Sequence, residues 1–179
     1  MAVRMFLNDG YHRTSLNDVA KRLNITKPAL YNYFRSKDDI LAACYQAGLA
    51  LYDRNLAESL RLEDNGLGRL RALIHSYAGV IATDFGRCVV RLDDRELPNL
   101  VREQVRQTKR RIEQAFRDAI ALGMADGSLV ACDPALTSFA ITGALNGIGT
   151  WFDRAGRVSA AELAESYAQQ LTAGLARHA

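Results

Sequence analysis

The sequence predicts an all-α protein, on three observations. Only three prolines occur, Pro28, Pro98 and Pro134. β-Branched residues are scattered and never alternate over a run. Apolar residues recur at helical spacing along nearly the whole chain. Within that class the chain divides into a small head, residues 1–45, and a larger helical part, residues 46–179.

Residues 2–9 (AVRMFLND) read as a helix that stops at Gly10 and whose beginning lies upstream of Met1. Ser15-x-x-Asp18 opens the next helix, the Ser as cap and the Asp in the first turn where the dipole favours it. Leu16, Val19, Ala20 and Leu23 form its inner stripe. Asn24 suits a left-handed stop, and Ile25 is expected to tuck underneath. Thr26 caps a third helix with Pro28 in its first turn, running to about Phe34. Ser36-x-x-Asp39 caps a longer fourth helix, with Ile40, Leu41, Cys44, Ala47, Leu51 and Leu56 inward.

Helix, three-residue turn, helix describes a helix-turn-helix. Leu30 and Phe34 point inward, which leaves Thr26, Lys27, Ala29, Tyr31, Asn32 and Tyr33 outward. Hydroxyls and amides reach base edges or phosphates, and a tyrosine hydroxyl is a good phosphate donor. The alternative is that Tyr31 and Tyr33 pack against neighbouring helices. Charge points the same way as the first reading. Residues 1–45 hold seven basic side chains against four acidic, whereas the remaining residues hold sixteen of each. The net charge of +3 therefore lies wholly in the head, as suits a surface that meets a polyanion.

The stretch DGYHRTSLNDVAKRLNITKPALYNYFRSKDDIL, residues 9–41, resembles the DNA-binding domain of the TetR/AcrR family of bacterial transcription regulators. The matching positions are Gly10, Thr14-Ser15, Asp18-Val19-Ala20, Leu23, Ile25, Leu30-Tyr31, Tyr33-Phe34, Ser36-Lys37 and Ile40-Leu41. The resemblance implies a homodimer that binds a double-stranded DNA operator, carries a small-molecule effector pocket in its larger domain, and represses until the effector arrives. It places Thr26 to Tyr33, Pro28 included, in the major groove. It assigns phosphate contacts to Tyr33, Lys37 and the Thr14/Ser15 region. Members of the family commonly have a longer first helix with a basic arm before it.

Beyond residue 45 periodicity carries the reading. Gly66 and Gly68 break the chain after the fourth helix, and GLGRL follows no strand, so it is not a phosphate loop. Leu70, Leu73, Ile74, Tyr77, Ala78 and Ile81 share one helical face, with His75 beside it as a surface or core histidine. Residues 87–97 give a short helix with Arg91 and Arg95 four apart. Asp93, Asp94 and Glu96 suit a cap or salt bridges. Pro98 starts a long helix to about Met124 with Val101, Val105, Thr108, Ile112, Ala115, Ala119 and Leu122 inward. Lys109-Arg110-Arg111 reads as a solvated face.

Residues 135–152 are apolar around nearly the full circumference, so that helix is buried on more than one side. Gly143 and Gly147 permit close helix approach. A last helix, 159–176, carries Leu163, Ala164, Tyr167, Ala168, Leu171 and Leu175 on one face. These two helices suit either an intramolecular core or a two-fold, four-helix interface; the family resemblance implies the second. The tail from Trp151 to Leu171 is similar to that of a TetR subgroup sensing acyl-CoA thioesters or related lipid and aromatic-acid intermediates. That likeness nominates Arg91, Asn146 and Trp151 as pocket residues. An aromatic helix end with a surface Arg is the plainer alternative.

Cys44, Cys88 and Cys132 are far apart, and His12, His75 and His178 lack metal-ligand spacing. Reduced thiols and no metal or cofactor are the expectation. The sequence shows no membrane span and no signal peptide, so a cytoplasmic protein is expected. It also shows no nucleophile elbow, nucleotide loop or paired carboxylates, which argues against an enzyme. A helical adaptor whose helix-turn-helix binds protein is the other class; salt-dependent binding to one palindrome separates it from a regulator.

Overall fold

The computed structural model describes residues 1–91 and 97–177. Arg95 and the acidic cluster Asp93, Asp94 and Glu96 lie outside the described residues. The fold is all-α. Among the described residues the one β-type pairing is an isolated antiparallel bridge, Leu129 to Ala176, which ties a loop to the C-terminal tail.

The head contains α1 (Ala2–Asp9), α2 (Leu16–Leu23), α3 (Lys27–Tyr31) and the start of α4 (Lys37–Leu60). Its stops are local chemistry. Gly10 takes φ 89°, a left-handed conformation that suits a residue without Cβ. Ser15 and Asp18 exchange reciprocal bonds at the start of α2, and Asn24 ends it at φ 53°. The Thr26 hydroxyl accepts from the Ala29 N–H at 3.4 Å. Ser36 and Asp39 form a second reciprocal box. α3 is shorter than the spacing predicts. It ends at Tyr31, and the Tyr33 and Phe34 amides close the turn on the Leu30 carbonyl.

The head's core is Phe6, Tyr11, Val19, Ala20, Leu30, Ile40 and Leu41, and it continues without a break into Cys88, Val101 and Val105 of the larger part. Two sequence expectations fail here. Leu23 is 39% exposed and Ile25 42% exposed, because α2 turns Val19 and Ala20 to the core and the left-handed turn at Asn24 leads the chain on from there.

α4 runs unbroken through residue 45, about 36 Å at helical rise, and carries the head into the larger part. Its inner face is Ile40, Leu41, Tyr45 and Tyr52, with Leu49 packed alongside. Ala47 and Leu51, expected inward, face out. The tyrosines, seven residues apart, occupy the core side and set the helix's rotation.

α5 (Gly66–Ile81) is central, packing against α4, α7, α8 and α9. Leu70, Leu73, Ile74, Ala78 and Ile81 are buried as predicted. Gly66 and Gly68 do not break the chain; they form the first turn of α5. A Cβ at Gly66 would overlap the backbone of Gly123, so glycine lets the two helices meet. The Asp126 carboxylate accepts from the Gly66 N–H at 2.7 Å, and Asn65 accepts from that of Gly68.

α6 (Asp84–Arg91) bridges the parts, touching α1, α4, α5 and α8. α7 (Asn99–Asp126) buries Val101, Val105, Ile112, Phe116, Ala119 and Ile120. Phe116 and Ile120 replace the expected Leu122, which is exposed, because α7 turns its bulkier residues to α5 and α8. α8 (Pro134–Trp151) is capped by Asp133, and α9 (Ala160–Ala173) by a Ser159–Glu162 box. α8 buries Ser138, Ile141, Leu145, Ile148 and Gly149, but leaves Leu136 69% and Phe139 54% exposed. A Cβ added at Gly143 or Gly147 would meet nothing within 4 Å.

Candidate DNA-binding face and effector cavity

On the head, a short capped helix presents most of the nominated residues together. Thr26, Lys27, Pro28, Asn32, Tyr31 and Tyr33 are exposed, Tyr33 at 82%, and Ala29 is half-buried. The Lys27 ammonium lies 5.5 Å from the centroid of the Tyr31 ring, a spacing for a cation–π contact that orients the cation. Leu30 beneath them is buried, so the face is anchored from behind.

Three nominated residues sit differently. Thr14 is 4% exposed, and its hydroxyl donates to the Gly10 carbonyl at 2.9 Å. It satisfies the end of α1 instead of facing outward. The Ser15 hydroxyl is exposed but engaged with Asp18. Bonds donated by the Ser15 hydroxyl and then the Ser15 N–H hold the Asp18 carboxyl below its ordinary range. Lys37 donates from Nζ to the carbonyls of Tyr11 at 2.8 Å and His12 at 3.3 Å, 4.5 Å from the Tyr11 ring centroid. In this conformation its ammonium clamps the loop between α1 and α2. Tyr11 in turn donates to Asp38.

In the larger part a cavity of about 250 Å³ lies between α4, α5, α6, α7 and α8. Its walls are mainly apolar: Leu49, Val80, Ile81, Phe85, Val89, Val90, Val105 and Ile112. Tyr45, Tyr52, Tyr77, Thr108 and Asn146 supply polar groups, and exposed Lys109 lines it too. The Tyr77 hydroxyl donates to Asn146 Oδ1 at 2.9 Å. Burial pushes Tyr77 up to about 12 and raises Tyr52 and Tyr45 as well. All three phenols therefore keep their protons near neutrality.

Of the three nominated pocket residues, Asn146 lines this cavity. Arg91 does not. Its guanidinium donates to the carbonyls of Gly149 at 2.9 Å and Thr150 at 2.7 Å, closing the C-terminal end of α8, where a cation is favourable. Trp151 is 55% exposed at that same end. The sequence reading missed the cavity tyrosines. Their signal was available in the seven-residue spacing of Tyr45 and Tyr52 and in Tyr77 on the α5 stripe.

The cavity and the head share walls. Phe85, Gly86, Val89 and Val90 of α6 face the cavity, while Asp84 at the start of α6 pairs with Arg4 of α1 at 2.5 Å. Arg154 approaches the same carboxylate at 3.8 Å. Cys88 is buried on α6 and pushed up to about 12 by burial, so it stays a thiol. Among the described residues no His/Cys/Asp/Glu group could hold a metal ion, and no helix is long and apolar enough to cross a membrane.

Comparison with known proteins places this arrangement. The family model for bacterial regulatory proteins of the tetR family matches residues 1–44, and that for the tetracyclin repressor-like C-terminal domain matches residues 63–175. The solved TetR family transcriptional regulator PfmR from Thermus thermophilus is 27% identical. It superposes with a TM-score of 0.85 over 98% of this chain and 97% of that one. AibR, solved in complex with isovaleryl coenzyme A and operator DNA, shares the fold. It has a TM-score of 0.79 at 21% identity, over 94% of this chain and 92% of that one. The fatty acid metabolism regulator protein of Bacillus subtilis is 22% identical over 89 residues, 50% of this chain and 46% of its own length. The chain thus spans about half the length of that curated relative. With both family models matched in order and covering most of its length, the chain belongs to the TetR family of bacterial transcriptional regulators.

Proposed function

We propose that this regulator is a homodimeric repressor that releases a near-palindromic operator when a small molecule fills the cavity between α4 and α8. Residues 1–45 act as the reading head and residues 46–179 as the effector-binding and dimerising domain, in the cytoplasm and without a cofactor. The observation that carries the reading is the shared wall. α6 lines the cavity with Phe85 and Val89 and holds α1 through Asp84 and Arg4.

Each head lays Thr26 to Tyr33 in the major groove. Thr26, Lys27 and Asn32 meet base edges, while Tyr31 and Tyr33 reach phosphates. Two half-sites lie about 34–36 Å apart or a multiple of that. Lys37, Thr14 and Ser15 set the angle of the head, and Lys37 remains a proposed phosphate contact should its clamp open on DNA. The exposed face of α8, with Gly143, Gly147, Leu136 and Phe139, joins α9 in a two-fold interface.

An effector in the cavity shifts α6 against α4, and both helices lead directly to the head. A coupling of a few kcal/mol suffices to move the heads off register. The effector class proposed is an acyl-CoA or a lipid or aromatic-acid intermediate. Support comes from the apolar walls, from the fatty acid metabolism regulator among the relatives, and from the isovaleryl coenzyme A held by a protein of the same fold. The test is a titration of DNA upstream of the protein's own gene at several salt concentrations, with and without short-chain acyl-CoA. Steeply salt-dependent binding to one palindrome, lost on adding acyl-CoA, is expected. Absence of any DNA binding sinks the reading.

A further inference from the structure

Tyr52 lines the cavity, is 3% exposed, and its hydroxyl has no hydrogen-bond partner. Buried hydroxyls are rarely left unpaired, because desolvating one without a partner is unfavourable. Its ring packs edge-on against Tyr77, with centroids 6.2 Å apart. The Tyr77 hydroxyl in turn donates to Asn146 Oδ1. That bond turns the amide oxygen toward Tyr77, takes one of its two lone pairs, and leaves the NH₂ as a donor. The polar corner of the cavity therefore offers donors, the Tyr52 O–H and the Asn146 N–H, to whatever enters.

Two further features narrow the guest. Among the described lining residues Lys109 alone is charged, and it is exposed. Burying a free carboxylate among the apolar walls is costly without a buried partner. The volume, about 250 Å³, exceeds the roughly 150 Å³ that holds benzene in an apolar cavity. It suits one substituted ring or a short acyl chain and not a long chain or a polycyclic body.

We propose that Tyr52 is the specificity-determining residue of the cavity, donating its hydroxyl hydrogen to the carbonyl oxygen of a compact apolar guest, a short or single-ring acyl thioester or ketone. The proposal rests on the effector reading above and adds the recognised atom. Filling the corner gives the Tyr52 hydroxyl its missing partner. Because Tyr52 stands on α4, whose other end packs in the head, a guest held there pulls on the helix that carries the DNA-reading unit.

The experiment uses the full-length protein and matched probes that differ at one position. In the first arm, propiophenone is compared with n-propylbenzene, which has a methylene for the carbonyl. In the second, butyryl-CoA is compared with S-butyl-CoA, the thioether lacking that oxygen. Calorimetric titration of the wild type should favour the carbonyl probe about tenfold in at least one arm, and the arm that responds names the source. Tyr52→Phe should abolish that preference while leaving the binding of the carbonyl-free probe unchanged. Because the hydroxyl is unpaired, the ligand-free variant should melt no lower than wild type. A preference that survives Tyr52→Phe, no preference in either arm, or a variant that melts lower overturns the proposal. Release of operator DNA by the same probes is read in parallel. Release by probes with and without the carbonyl alike overturns the role of Tyr52 while leaving the effector reading intact. An absence of operator binding overturns both.

Discussion

Gly48 on α4 lies directly against the ring of Phe85 on α6, so close that a Cβ at position 48 would overlap ring carbons. Both residues line the cavity. The contact joins α4, which begins in the head, to α6, which lines the cavity and pairs with α1. Gly48→Ala should therefore destabilise the protein. Overpacking costs about 1–3 kcal/mol, which outweighs the roughly 1 kcal/mol that Ala gains over Gly in a helix. In a Phe85→Ala background the same change should stabilise by about 1 kcal/mol, since the ring is gone. Chemical denaturation of the four proteins in this cycle measures the sign reversal.

The open face at Gly143 and Gly147 makes a second prediction. A Cβ added at Gly143 meets nothing within 4 Å, and the position is exposed, so Gly143→Arg should leave the fold of one subunit intact. If α8 pairs across a two-fold axis, the variant should sediment as a monomer and lose operator affinity. A dimer in Gly143→Arg that binds DNA as before would place the interface elsewhere.

The punctuation of the head was legible in the sequence, and the lining of the cavity was not. Ser15 with Asp18, Asn24, Thr26 with Pro28, and Ser36 with Asp39 act through neighbours a few residues away, so spacing alone reveals them. The rotation of α4 depends on what packs against it. Ala42, Ala43, Ala47, Leu49, Ala50 and Leu51 surround the helix with apolar groups, and periodicity alone chose Ala47 and Leu51 where the fold uses Tyr45 and Tyr52. The same holds for α7, where Phe116 and Ile120 displace Leu122. The cavity draws on five helices distant in sequence, so only tertiary packing assembles it. Arg91 was nominated as a pocket residue, yet two carbonyls at the end of α8 take up its charge.

Acid should weaken the head through Asp18. Bonds from the Ser15 hydroxyl and then the Ser15 N–H lower its folded-state value below that of an unfolded aspartate. The stability it adds is complete above about pH 4, the unfolded value, and is lost as the pH falls through the lower folded value. Asp18→Asn should show a shallower loss of melting temperature below about pH 4 than the wild type. An unchanged acid limb would mean that the box is not formed in solution.

Thr26 serves two purposes that substitution can separate. Its hydroxyl caps α3, and the residue as a whole is exposed. Thr26→Ser keeps the cap and should change base preference without changing stability, as a lost contact to a thymine methyl would. Thr26→Ala should lower stability by about 1 kcal/mol in addition. Selection of preferred operators from a randomised pool, together with melting curves, distinguishes the two.

The central claim is that the surface from Thr26 to Tyr33 touches duplex DNA, once per subunit of a dimer. Its most direct test is titration of operator DNA and of altered operator sequences with wild type, Tyr33→Ala and Lys27→Ala, with stoichiometry measured alongside. Two subunits per operator are expected, with weaker binding for both variants, the loss uniform across sequences for Tyr33→Ala and accompanied by a relaxed sequence preference for Lys27→Ala. Binding and sequence preference identical to wild type in both variants, or one subunit per operator, would contradict it.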